Sequence, residues 1–377
     1  MELLYLNLLF IDIIGGGSGR LFELYNGITI RYILFFTGIL LILIKFSLKK
    51  IILLKRELIA LLLGTIFIPI GLICASNNNL ELAFVDIQPL LFFLLIVLIL
   101  SQNREDGKYL IGRFLKFLLV IPFIMGVIQL IIISSIKLNL ISFEAVYAYA
   151  STTSGELRFR GEDGLFFYKG FFFLGVGFVY AFIKKKYLLS LFLIICITLT
   201  QTRGLLLASI FTILLYLVFT ARKQVAFIIF LISPIMLYLT YLFTVKILFL
   251  REDVGESDSV RFEDLDFILN SNSWVQTLIG NGWGAEVRDR AKIENVFIEI
   301  FYKCGLLGLL SSLVLVFYMF LYKNIKYNPF FYLMLFAFMY SQTNPFIFTP
   351  MGIVLVGMCI LSCRFKFNKN NELIKDA

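Results

Sequence analysis

Residues 251–310 read REDVGESDSVRFEDLDFILNSNSWVQTLIGNGWGAEVRDRAKIENVFIEIFYKCGLLGLL, and the fold follows from the contrast between this stretch and its surroundings. Its first part is the most polar run in a chain that is 60% hydrophobic and 16% aromatic. A charged segment of about forty residues is too polar to lie in lipid, where every unsatisfied backbone or side-chain group costs several kcal/mol. It therefore faces water on one side of a membrane. After the glycine cluster LIGNGWG and the basic run RDRAK, the sequence turns apolar again at IENVFIEIFYKCGLLGLL.

Outward from this loop, apolar runs recur to both ends, and the mean hydropathy of +0.92 fits an all-α polytopic membrane protein. The runs are continuous, without the alternation of a transmembrane β-barrel strand. With a span length of roughly 20 residues, five spans (3–14, 28–46, 58–75, 84–100 and 114–134) precede an outer loop at 137–164. Four more, at 166–183, 188–202, 205–219 and 226–250, lead to the large loop, and 306–322, 330–341 and 347–363 follow it. The reading is one membrane domain, 1–377, of about twelve helices, with a loop at 251–305 between the ninth and tenth. Basic clusters at KFSLKKIILLKRE, Lys184–Lys186, Arg222 and Lys223, Lys323 and Lys326, and the tail RFKFNKNNELIK all fall on one side. By the positive-inside rule that side is the cytoplasm, where both ends of the chain then lie.

This distribution accounts for the net charge of +9 without nucleic acid. The chain contains no histidine, which excludes imidazole proton transfer and histidine-ligated zinc. Its five cysteines have no metal-ligand or CxxC spacing. The expectation is no metal and no cofactor. Met1 to Ile14 has no basic start or small-residue cleavage site and is not read as a signal peptide. The glycines of GGGSGRLFELYN are read as a flexible turn, because neither a preceding strand nor a following GK[ST] makes them a phosphate loop.

Arg203, in TQTRG, stands near the outer ends of two apolar helices, where a charge is expensive and the basic-residue bias gives no reason for one. It is either a snorkelling side chain in a tight turn or part of an anion site. Arg261, among Glu256, Asp258, Glu263 and Asp264, is a salt-bridged loop residue or a ligand group. Arg158 with Arg160, and Arg288 with Arg290 and Lys292, add positive charge on the same face. Several arginines together suit a polyanion, since the guanidinium fork matches phosphate and stays charged. Glu294 and Asn295 open the helix after the loop. Glu294 there is either a carboxylate favourable to the helix dipole or a general base in a chain without histidine.

TQTRG at a helix end, SVRFEDLDF in a large outer loop, LIGNGWG, then ENVFIEIFYKCGLLGLL, resembles in order and spacing the O-antigen polymerase and ligase superfamily over residues 157–322. The resemblance implies a metal-free glycosyltransferase of the bacterial inner membrane that works at the periplasmic face. Its substrate would be an undecaprenyl-pyrophosphate-linked oligosaccharide, and its other partners membrane lipid and a chain-length regulator protein. Arg203 and Arg261 fall on the motif arginines and would bind pyrophosphate, with Arg160 a looser match and Arg288 and Asn295 beside them. Glu294 would serve as base. Ligases usually carry histidine where Glu294 stands, which favours the polymerase branch. A ligase, or a flippase without enzymatic activity, is the alternative, and a flippase should place its charges in a cavity reached from both sides.

Overall fold

A computed structural model describes residues 2–20, 23–25, 28–75, 78–152, 156–159, 164–243, 254–322, 325–368, 371 and 373. The first half comprises α1 (Glu2–Gly15), α2 (Ile30–Ser47), α3 (Lys55–Thr65) running into α4 (Phe67–Cys74), and α5 (Leu80–Ile87) continuing through a 3-10 turn into α6 (Phe93–Leu100). Then come the long α7 (Arg104–Lys137) and the short α8 (Phe143–Thr152). The second half has α9 (Phe172–Ile183), α10 (Tyr187–Leu199), α11 (Arg203–Thr220), α12 (Lys223–Phe243), α13 (Val254–Ser271), α14 (Trp274–Ile279), α15 (Val296–Phe317), α16 (Pro329–Tyr340) and α17 (Pro350–Ser362).

Among the described residues, seven helical stretches are long and apolar enough to cross a membrane: Ile30–Ser47, Lys55–Cys74, Leu80–Leu100, Arg104–Lys137, Arg203–Thr220, Lys223–Leu242 and Val296–Leu321. None of the apolar window of Lys223–Leu242 is buried within the protein, and Phe227, Phe230, Leu231 and Leu239 stand exposed. Bare apolar faces of this size on a folded chain suit lipid. The shorter α16 and α17 are the reverse, buried along nearly their whole length at the bundle centre. Asn328 and Thr349 precede them, each followed by proline at the first helical position, where its fixed φ and missing N–H do no harm. The NPF and TPMG interruptions of the sequence are thus a turn and a helix start.

Some boundaries differ from the sequence reading. The stretch predicted as the start of a span at 166 is a strand, β2 (Phe166–Tyr168), paired antiparallel with β1 (Leu157–Phe159). α7 runs past the length of a span at both ends, begun by Asn103, whose side chain accepts the Asp106 N–H. α15 begins at Val296, inside the predicted loop, because Asn295 caps it there. The ninth predicted span is helical to Phe243, and residues 244–250 lie outside those described.

Two polar layers define the ends of the bundle. At one end Lys45 reaches Glu2 at 2.7 Å and Ser101, while Arg364 forks onto Glu57 and also donates to the Gln102 carbonyl. The start of α1 and the end of α17 therefore meet. At the other end Arg31 pairs with Asp12 at 2.8 Å and donates to the Gly17 carbonyl. There the glycine-rich turn holds an anion after all, one from its own chain: Ser18 and Arg20 point their N–H groups at the buried Glu156 carboxylate. Gly17 and Gly19, with φ of +59° and +98°, permit that inward-facing curl.

Candidate functional site

The large loop is seated on the bundle end opposite Glu2 and Arg364, and the seat is a break in α15. Gly305 has φ +67° and ψ −170°, which interrupts the helical hydrogen-bond ladder. The carbonyls of Tyr302 and Lys303 are then available to the loop, and accept the N–H groups of Asn281 (2.9 Å) and Gly282 (2.8 Å). Trp283 N–H goes to the Gly71 carbonyl, and its indole donates to Ile68. Gly282 has φ +87°, and a side chain there would overlap the Cys74–Ala75 backbone. The glycines of LIGNGWG are required because the loop backbone lies directly on α15, the end of α4 and the start of α5.

Below this seat lies a buried charge cluster. Lys303, 1% exposed, donates to Asp86 (2.7 Å), Glu299 (2.9 Å) and the Ala291 carbonyl (2.8 Å). All three ammonium hydrogens are therefore used. Asp86 also accepts the Gly284 N–H at 2.9 Å. One lysine thereby ties α5, α15 and both ends of the 284–291 segment together.

Above the seat, α13 packs on that segment. Val287 and Arg290 exchange hydrogen bonds at 3.0 Å across Arg288 and Asp289, both with positive φ, the geometry of a type I′ turn. This turn presents Arg288 to Glu263 and Arg290 to the buried Asp264 of α13. Burial raises the Asp264 carboxyl above its ordinary value, while Arg290 and Arg288 pull it back. Ile268, Ala285, Val287, Ile293 and Tyr302 form a small apolar core beneath. A third pair joins the same elements: Arg261 donates through Nε (2.8 Å) and Nη2 (2.6 Å) to Glu294 Oε2. Two residues singled out from sequence, 33 positions apart, are in direct contact.

Asn295 caps α15, its side chain accepting the Phe297 and Ile298 N–H groups, and donates to Gln342 at 3.2 Å. We predict that Asn295→Ala lowers stability by about 1 kcal/mol, and that Asn295→Ser restores most of it. Thermal unfolding of the purified variants reads this directly; a loss of activity in Asn295→Ser at unchanged stability would assign Asn295 to substrate instead. Val296 N–H reaches the Ser341 carbonyl at 3.4 Å. Two residues on, Thr343 packs against Gly204, beside Arg203 at the first position of α11. The turn after α16 thus joins the Arg203 corner to the Glu294 corner.

Arg160 lies outside the described residues. Its neighbour Arg158, on β1, acts electrostatically on Lys169, as do Arg20 and Lys292, against the opposing carboxylate of Glu156. The sequence reading passed over Asp86, Glu299, Lys303 and the 341–344 turn. Glu299 and Lys303 carry a signal, a charged i,i+4 pair within an apolar run, where charge is costly unless paired.

In comparison with known proteins, the chain is 32% identical over 371 residues to a protein of Shigella flexneri named O-antigen polymerase, covering 95% of this chain and 94% of that one. No protein-family profile matches it. No solved structure matches it either.

Proposed function

The chain belongs to the O-antigen polymerase family, and from that premise we propose that it joins undecaprenyl-pyrophosphate-linked repeat units at the periplasmic face of the bacterial inner membrane. It is a polymerising glycosyltransferase. The observation that carries the site is the Arg261–Glu294 contact; Asn295, next to Glu294, bonds Gln342, and Thr343 packs on Gly204, next to Arg203. The topology in this reading has twelve spans with both termini cytoplasmic, which leaves the arginine-rich end facing the periplasm. The partners are the lipid-linked oligosaccharide, membrane lipid and a chain-length regulator protein.

The growing glycan on its lipid diphosphate is the donor, and a sugar hydroxyl of the incoming repeat unit is the acceptor. The hydroxyl oxygen bonds to the anomeric carbon as the bond from that carbon to the diphosphate oxygen breaks. Glu294 takes the hydroxyl proton, and polyprenyl diphosphate leaves with its charge held by Arg203 and Arg261, inverting the anomeric centre. Arg288 and Arg160 supply further positive charge to the same substrate. In the resting arrangement Arg261 neutralises Glu294. A diphosphate competing for the guanidinium frees the carboxylate as base, so donor binding and base activation are one event.

Deleting the gene and resolving the surface glycan on a gel tests the reading. The expected product is one repeat unit long, with the ladder gone. An unchanged ladder would contradict the assignment, and complete loss of surface glycan would point to a flippase or ligase.

A further inference from the structure

We propose that the turn Ser341–Gln342–Thr343–Asn344 is the sugar-recognition element of this site, with Gln342 and Asn344 reading hydroxyls of the repeat unit between the two motif arginines. The proposal rests on the reading of Arg203 and Arg261 given above, and adds the part of the substrate that they do not address.

The turn occupies the right place. It touches Asn295, the neighbour of Glu294, through the Gln342 side chain, and touches Gly204, the neighbour of Arg203, through Thr343. With the diphosphate on Arg203 and Arg261 and the hydroxyl at Glu294, the reacting sugar lies against the turn that spans these corners.

Its backbone is already occupied. The N–H groups of Ser341, Gln342, Thr343 and Asn344 all go to carbonyls of α16, and Ser341 Oγ accepts the Ile347 N–H at 3.1 Å. Beneath it Tyr340, Phe346 and Phe172 stack within 16° of parallel, fixing the turn from below. What remains is side-chain capacity. Gln342 Nε2 donates to the Phe338 carbonyl and Asn344 Nδ2 to Thr343 Oγ1. Each amide has two N–H groups, so one N–H on each, and the carbonyl oxygen of Asn344, take no partner among the described residues.

The chemistry selects the ligand. The turn carries no charge, so it is not a second anion site. It offers fixed donors beside a fixed acceptor, which suits a group that both donates and accepts, as a sugar hydroxyl does. A site built to hydrogen-bond a hydroxyl rejects analogues lacking it far better than an apolar pocket can.

The test uses the full-length protein in lipid nanodiscs, with two inhibitors of polymerisation. One is the free repeat-unit oligosaccharide, released by mild acid from the lipid-linked pool of the deletion strain; the other is inorganic pyrophosphate. Asn344→Leu and Gln342→Leu are each expected to weaken inhibition by the oligosaccharide by about tenfold. Inhibition by pyrophosphate should stay within about twofold. Asn344→Ser, which stays uncharged and is too short to reach the same hydroxyl, covers the case in which the leucine variants do not fold, and should shift the oligosaccharide constant alone. Unchanged oligosaccharide inhibition in a folded variant overturns the proposal, as does an equal loss for both inhibitors. Arg203→Ala in the same nanodiscs should lose pyrophosphate binding measured by calorimetry; if it does not, the arginine assignment fails while the turn is still judged on its own variants.

Discussion

Lys303→Met should destabilise the protein by about 3–5 kcal/mol, because it leaves Asp86 and Glu299 buried without their counter-charge. The loss has a location as well as a size. The substitution frees the Ala291 carbonyl at one end of the segment carrying the Arg288 turn and leaves Asp86, which holds the Gly284 N–H at the other, without its counter-charge. Limited proteolysis should then cut within residues 254–295 at protease levels that spare the wild type. Polymerisation should fall with it, since Glu294 follows that segment directly. Asp86→Asn with Glu299→Gln, added to Lys303→Met, removes the uncompensated charge and should recover much of the stability. Recovery of stability without recovery of activity would show that the lysine positions the loop as well as balancing charge.

Arg203→Ala should reduce polymerisation by about 100- to 1,000-fold, the usual effect of removing one preorganised donor to charge that develops in the transition state. Arg203→Lys should recover little, because a point charge on a flexible stem does not reproduce the planar fork on a diphosphate. The variant should insert and fold like the wild type, since Arg203 is part-exposed at the first position of α11. The readout is the rate of ladder growth in complemented deletion cells with protein levels matched. Wild-type growth in Arg203→Ala would remove this residue from the site.

Much of the fold is legible in the chain because lipid imposes one rule, that apolar helices alternate with charged turns, and composition reports it residue by residue. Most described helices fall where the apolar runs do, but α8, α13 and α14 lie within the segments read as loops, 137–164 and 251–305. What composition cannot report is register and partnership. Nothing local distinguishes Phe166–Tyr168 as a strand; its pairing with Leu157–Phe159 decides it. Arg261 and Glu294 were each legible as charged groups in the outer loop, yet their contact depends on α13 folding back over the Arg288 turn. Asp86 and Lys303 lie 217 positions apart, and no window of sequence joins them. The 341–344 turn reads as an interruption until the structure sets it between Gly204 and Asn295.

The central claim is tested most directly by reconstitution. Purified protein in nanodiscs, given only the diphosphate-linked repeat unit, should build a ladder and release one polyprenyl diphosphate for each linkage formed, without added metal or nucleotide. The Arg261→Ala and Glu294→Gln proteins, folded and inserted, should leave the repeat unit unextended. Release without linkage, or transfer only to an added lipid A-core acceptor, would contradict the account.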